Sequence, residues 1–246
     1  MIRTVLEVLY LVFFFIIGLP LSFVSKLSSR TGWERGTKLA YSWLCWGTRC
    51  IAAISGSPVS ISGLEKVPQD EPVLYISNHR SLFDPVHLVP LMKNPTSILA
   101  KKELEKIPFL GYYMRLARCE FLDRNDLKQG LKCILDLISH VKEGQSVCIF
   151  PEGTRSPGDE MKEFRDGSFK VAQRTGCPII PIAISGTENV LEEHFPFVKP
   201  APVQIRFGDP IRMDTLDPED KKHIGSYVQG VIAGMLKENA DGSGEA

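Results

Sequence analysis

Residues 73 to 85, "VLYISNHRSLFDP", contain the change of direction that decides the fold. "VLYIS" (73 to 77) reads as a buried strand. His79 and Asp84 follow it, an imidazole and a carboxylate five positions apart. On a continuous helix that separation turns two side chains roughly 140° apart, and on a continuous strand it sends them to opposite faces. They meet only if the chain passes sharply from strand through loop into helix, the corner where open α/β sheets place their chemistry. Asp84-Pro85 has a plainer reading as well. A carboxylate followed by proline starts a helix, and Ser81-Leu82-Phe83-Asp84 fits a capping box.

The rest of the chain alternates in the same way. "TSILA" (96 to 100), "CEFL" (119 to 122), "SVCIF" (146 to 150), "IIPIAIS" (179 to 185) and "VQIRF" (203 to 207) read as further strands. Several are apolar throughout, as strands covered on both faces are. Between them Asp126 caps a helix whose Leu127, Leu131, Ile134, Leu135, Ile138 and Val141 fall on one face, with Gly144 at its C′ position. Further helices are predicted over about 168 to 174, ending at Gly176, and over about 218 to 238. The fold class is therefore α/β, a central and mostly parallel sheet flanked by helices.

The amino-terminal end has a different character. Val8 to Val24 is a run of seventeen uncharged residues, about 25 Å of helix. Gly18 and Pro20 would weaken or kink it, and no small-residue cleavage site follows. A second segment, "LAYSWLCWGTRCIAAISG", mixes Tyr41, Trp43 and Trp46 with apolar residues after a basic patch containing Lys26, Arg30, Arg35 and Lys38. Aromatic residues of this kind favour membrane interfaces, and the basic patch favours the anionic cytoplasmic surface. A transmembrane anchor, a helical hairpin in one leaflet and a buried core helix all fit; a membrane-associated hairpin is the expectation carried forward. It gives a division into a membrane-associated segment (1–57), an α/β domain (58–238) and a disordered tail (239–246).

Bulk numbers narrow the partners. Across 246 residues, 29 basic side chains balance 29 acidic ones. No global field draws this chain to nucleic acid, so any anion site is local. The six cysteines show no metal-ligand spacing and read as buried thiols.

Three stretches close predicted strands: "NHRSLFD", "FLDR" and "FPEGTRS". Loops at the carboxyl ends of strands converge on one crevice, which would assemble His79, Asp84, Arg124, Glu152 and Arg155. An imidazole steadied by a carboxylate is a general base for a hydroxyl or thiol. Arginines and a glycine-containing loop hold phosphate. Two other readings stand beside this one: His79, Asp84 and His87 as metal ligands of a phosphoesterase, and the loops as caps and turns without catalysis.

In order, "NHRSLFD", "CEFLDR", "FPEGTRS" and "CPIIPIAISG" resemble the four blocks of the glycerolipid acyltransferases, specifically the 1-acyl-glycerol-3-phosphate acyltransferases, over roughly residues 70 to 190. The resemblance implies His79 as base and Asp84 as its orienting acid. It implies phosphate binding by Arg124, by Glu152, Gly153, Thr154 and Arg155 of the third block, and by Lys101 in "AKKELEKIPFLG". The fourth block, Pro178 to Ile184, resembles a substrate-site wall. The implied reaction moves an acyl group from a thioester on coenzyme A or acyl carrier protein to lysophosphatidic acid, at the cytoplasmic face of the cell membrane and in contact with membrane lipid. It requires no metal and no cofactor. Another lysophospholipid acceptor, or transfer directly between phospholipids, would share the same motifs.

Overall fold

A computed structural model describes residues 1–28, 33–93, 95–156, 158 and 160–240. Its centre is a seven-stranded sheet built from β1 (Val59–Ser62), β2 (Leu74–Ser77), β3 (Thr96–Lys101), β4 (Glu120–Leu122), β5 (Ser146–Ile149), β6 (Ile179–Ser185) and β7 (Val203–Phe207). The spatial order is β1-β7-β6-β2-β5-β3-β4. β6, β2, β5, β3 and β4 run parallel; β7 pairs antiparallel with β6 and parallel with β1. All of the predicted strands are present, with ends shifted by a residue at most.

Strand periodicity distributes the core between two layers. On β2, Tyr75 faces a cluster with Tyr41 of α2 (Trp33–Ser55), Phe83 and Leu88 of α3 (Phe83–Leu88) and Tyr113 of α4 (Leu110–Leu116). Leu74 and Ile76 face the other side, against Leu137 and Ile138 of α5 (Leu127–Lys142), Val171 of α6 (Lys170–Thr175) and Val228 of α8 (Ile224–Ala240). A short α7 (Pro218–Lys222) precedes α8, so the single helix predicted there is broken at His223. α8 also carries residues 239 and 240, which the sequence reading assigned to the tail; Asn239 is buried and accepts from Arg206. Residues 241–246 of that tail lie outside the described residues.

Two expectations need correction. β1 was not predicted, because at the sheet edge it is short and leaves Val59 and Ile61 exposed, which erases the apolar pattern of a central strand. The face of α5 is also partly rotated, with Ile134, Ile138 and Val141 packed into the core as read. Asp126 caps it, accepting from the N–H groups of Lys128 and Gln129, and Gly144 adopts positive φ after its end. Yet the helix buries Cys133, Leu137, Ile138, His140 and Val141, while Leu127, Leu131 and Leu135 are exposed.

α1 (Ile2–Ser28) continues across Pro20 as one helix and packs antiparallel to α2: Arg3 donates to the Ile54 carbonyl, and Phe14 stacks on Trp43 at 4.8 Å. Gly18 lets α1 approach α4, since a Cβ there would meet the Tyr113 ring. The inner stripe includes Glu7, Phe14 and Gly18; the outer face presents Val5, Leu6, Val8, Leu9, Val12, Phe13, Ile16 and Ile17. α1 is thus no core helix, and over Ile2–Pro20 it is long and apolar enough to cross a membrane, with mean hydropathy 2.2. Of the expected basic patch, Arg35 and Lys38 are exposed, with Lys38 paired to Glu34; Arg30 and the Lys26 side chain lie outside the described residues.

The rotated face of α5 makes a prediction. Leu137→Ala should destabilise the protein by about 2–5 kcal/mol, and Leu135→Ala by less than about 0.5 kcal/mol. Denaturant unfolding of the two variants checks it; equal losses would restore the face read from sequence.

Candidate active site

The parallel strands end on one edge of the sheet, and the loops after β2, β4, β5 and β6 gather there. The geometry begins with Asn78. Its side chain is fully buried and imitates a strand residue, donating to the Ile184 carbonyl and accepting from the Ile184 N–H, both at 2.9 Å. That extends the β2–β6 pairing by side chain and lets the backbone leave the sheet one residue before His79.

The chain then folds back on itself. His79 Nδ1 lies 2.8 Å from Asp84 Oδ2. The same carboxylate accepts from the N–H groups of Arg80 (2.7 Å) and Ser81 (2.9 Å), and through Oδ1 from Thr187 Oγ1 (2.5 Å). Asp84 is not the helix-starting residue that Asp84-Pro85 suggests, since α3 begins at Phe83 and Asp84 lies in its first turn. It reaches back to Ser81 as the acid of a capping box, whose Ser81 Oγ accepts from Phe83 N–H, and it also holds the imidazole. Because a carboxylate only accepts, the hydrogen of the imidazole sits on Nδ1 and the lone pair on Nε2. Asp84 is wholly buried, while 19% of the His79 side chain reaches solvent. This is the arrangement of a steadied base with one nitrogen turned outward.

The third block wraps the backbone of His79. Glu152 is buried and accepts from the His79 N–H at 2.7 Å, the Lys162 N–H at 2.9 Å and the Ser156 hydroxyl; Ser156 N–H donates to the His79 carbonyl at 2.9 Å. The Phe150 ring lies 4.5 Å from the imidazole. Glu152 is thus occupied by loop donors. Gly153 has φ +68°, a left-handed conformation that favours glycine, and the Arg165 guanidinium lies 3.2 Å from where a Cβ would stand. Thr154 follows, half-buried.

The cations divide into engaged and open ones. Arg155 donates to Glu192 at 2.8 Å, and Glu192 also accepts from Ser81 Oγ and Leu82 N–H. Lys101 pairs with Glu103 at 3.0 Å. Arg124 has no carboxylate within ion-pair distance among the described residues. Partial burial, and next the like charge of Arg165, hold its guanidinium below the ordinary arginine range, with Glu103 opposing. Arg124 and Arg165 form a doubly charged rim to which an anion would be drawn. Arg165, Thr187 and Glu192 were not singled out from sequence. Thr187 directly follows the fourth block; Glu192 carries no local signal.

Other candidates are set apart from this centre. His87 packs against Phe83 with ring centroids 6.1 Å apart; burial lowers its pKa, opposed by Asp84. Among the described residues no three His, Cys, Asp or Glu side chains are grouped to hold a metal ion. The six cysteines are all free, and burial pushes the Cys119 and Cys148 thiols up to about 12, out of reach of thiolate chemistry near neutral pH.

A buried carboxylate, an oriented imidazole and a rim of guanidinia are the side chains that moving a group onto the hydroxyl of an anionic acceptor would need. The chain belongs to the acyltransferase family: the family model described as Acyltransferase matches residues 58–185. It is 30% identical over 192 residues to the 1-acyl-sn-glycerol-3-phosphate acyltransferase of Cocos nucifera, covering 78% of this chain and 62% of that one. To the enzyme of the same name from Borreliella burgdorferi it is 28% identical over 184 residues, 75% of this chain and 74% of that one. The crystal structure of the 1-acyl-sn-glycerophosphate acyltransferase PlsC from Thermotoga maritima superposes with a TM-score of 0.80 at 26% identity, covering 97% of both chains. With this family and the apolar outer face of α1, the protein is membrane-associated.

Thr187→Val removes one donor to Asp84 and leaves the fold's packing intact. Turnover should fall by about 10- to 100-fold, the scale of a lost hydrogen bond to a charged group. Steady-state rates with a matched melting curve check it; an unchanged rate would make the Thr187–Asp84 bond irrelevant to the site.

Proposed function

We propose that the protein transfers an acyl group from an acyl thioester, carried by coenzyme A or acyl carrier protein, to the sn-2 hydroxyl of 1-acyl-glycerol-3-phosphate, giving phosphatidic acid. The observation that carries this reading is the 2.8 Å contact of His79 Nδ1 with buried Asp84, which leaves Nε2 as the base. Nε2 takes the hydroxyl proton as the oxygen attacks the thioester carbonyl, and Asp84 stabilises the imidazolium that forms. The tetrahedral intermediate collapses, the C–S bond breaks, and the thiolate takes up a proton from the imidazolium. Oxygen, sulfur and proton balance without a covalent acyl-enzyme. Holding both substrates together supplies much of the remaining acceleration.

Arg124, with Arg165 beside the Gly153 turn, grips the acceptor phosphate in this reading. Arg155 keeps N–H donors beyond the one given to Glu192, so it serves the phosphate while tying the third block to the His79 loop. Glu152, Gly153 and Thr154 shape that turn, and Lys101, paired with Glu103, is the weaker phosphate ligand. We assign residues 1–57 to membrane attachment and 58–238 to the catalytic domain, lying on the cytoplasmic face of the cell membrane. α1 runs alongside α2, and α2 is docked on the domain through Tyr41, which donates to the Val89 carbonyl at 3.0 Å. A helix so attached cannot pass through a bilayer while its domain stays outside, which supports a hairpin embedded in one leaflet.

The decisive experiment is thiol release by detergent-purified protein given lysophosphatidic acid and an acyl thioester. Release should require the acceptor, survive a chelator and fall by about 10²- to 10⁴-fold in His79→Ala. Folded protein in lipid that releases no acceptor-dependent thiol from either donor would refute the reading. Arg124→Ala should raise KM for lysophosphatidic acid by roughly 10- to 100-fold and spare transfer to a monoacylglycerol. Equal losses on both acceptors would remove Arg124 from phosphate binding.

A further inference from the structure

The connection from β6 to β7, residues 186 to 202, touches both the catalytic loop and α1. Its first half is fastened to the catalytic loop. Thr187 donates to Asp84, Glu188 faces Arg80 at 3.5 Å, and Glu192 gathers Ser81 Oγ, Leu82 N–H and Arg155. Its returning half is fastened to α1, where Val198 N–H donates to Thr4 Oγ1 at 2.9 Å. Between these attachments stand Phe195 and Phe197, 75% and 43% exposed, with Pro196 exposed between them.

Two large aromatic side chains in water beside an already apolar ridge are out of place in a soluble surface. The ridge is the start of α1, where Ile2, Val5 and Leu6 also point outward. Toward the site the apolar surface continues in Leu82, 48% exposed on the outer side of the His79–Asp84 loop. Charged residues flank the phenylalanines, Glu193 before and Lys199 after, at the positions where an element dipping into a headgroup layer keeps its polar groups in water.

We infer that Phe195 and Phe197 enter the same lipid surface as α1, making this loop a second membrane contact wired directly to the catalytic loop. The inference rests on the membrane reading of α1. The bilayer is the occupant because the patch is continuous with α1 through the Val198–Thr4 bond. When the phenylalanines are seated, Glu192 and Thr187 are held in register with Ser81 and Asp84, so the site is complete where its amphiphilic acceptor is found.

Site-specific photocrosslinking tests this in the full-length protein on vesicles of phosphatidylethanolamine and phosphatidylglycerol. p-Benzoylphenylalanine is placed singly at Val5, Phe195, Phe197 and Leu131, the last exposed on the opposite face of the sheet. Lipid adducts at 5, 195 and 197 should exceed those at 131 several-fold. Adducts at 5 with 195 and 197 at the level of 131 would overturn the inference and leave α1 in the membrane. Adducts at none would overturn the membrane reading with it. Coupling to the site is read from the double variant Phe195→Ser, Phe197→Ser. Transfer to acceptor presented in vesicles should fall roughly tenfold, while transfer to a short-chain, water-soluble acceptor and the melting temperature stay unchanged. Equal rates on vesicle acceptor would reject the coupling.

Discussion

The Asp84 carboxylate accepts from His79 Nδ1, two backbone N–H groups and the Thr187 hydroxyl, and much of the surrounding structure exists to make that convergence possible. A buried carboxylate in an apolar protein is tolerable only when its oxygens are satisfied. Each donor comes from a different structural decision. Asn78 ends β2 by substituting its side chain for a strand residue. Arg80 and Ser81 present their N–H groups because the chain is turning into α3. Thr187 arrives from the far end of β6 only because β6 lies next to β2.

The same economy runs through the third block. Glu152 is a second buried carboxylate, and it accepts from His79, Ser156 and Lys162. The two acids divide the base between them: Asp84 fixes the ring of His79, Glu152 its backbone. Both carry negative charge and would repel an anion, so the guanidinia are the groups that could attract one. Of these, Arg155 shares its charge with Glu192, and Arg124 and Arg165 crowd each other. Like charges held close, with only Glu103 opposing them among the described residues, would be relieved by an anion such as the phosphate of the proposed acceptor.

How much of this was legible in the sequence depended on how local each feature is. The central strands were readable because burial on both faces makes them apolar end to end; β1 was not, since an edge strand with an exposed outer face lacks that signature. The face read for α5 holds for Ile134, Ile138 and Val141 and fails for Leu127, Leu131 and Leu135, because the rest of the buried stripe is interrupted by Cys133 and His140 and is less apolar than the exposed stripe beside it. At the site, His79, Asp84 and the third-block residues lie in contiguous loops and could be named. Thr187 and Glu192 reach Asp84 and Ser81 across more than a hundred positions of chain, and no spacing rule carries that far. Arg165 enters only because the turn at Gly153 brings the chain back beneath it.

The outward face of α1 has a consequence for how rates must be counted. With that face in lipid, enzyme and acceptor share a two-dimensional solvent, and they meet by lateral diffusion. The relevant concentration is then the mole fraction of acceptor in the leaflet, and diluting it with inert phospholipid slows the reaction even when the amount per litre is constant. Under the proposed function, a thioester donor arriving from water would obey ordinary bulk kinetics at the same site, so the two substrates of one reaction would be governed by different dimensionalities.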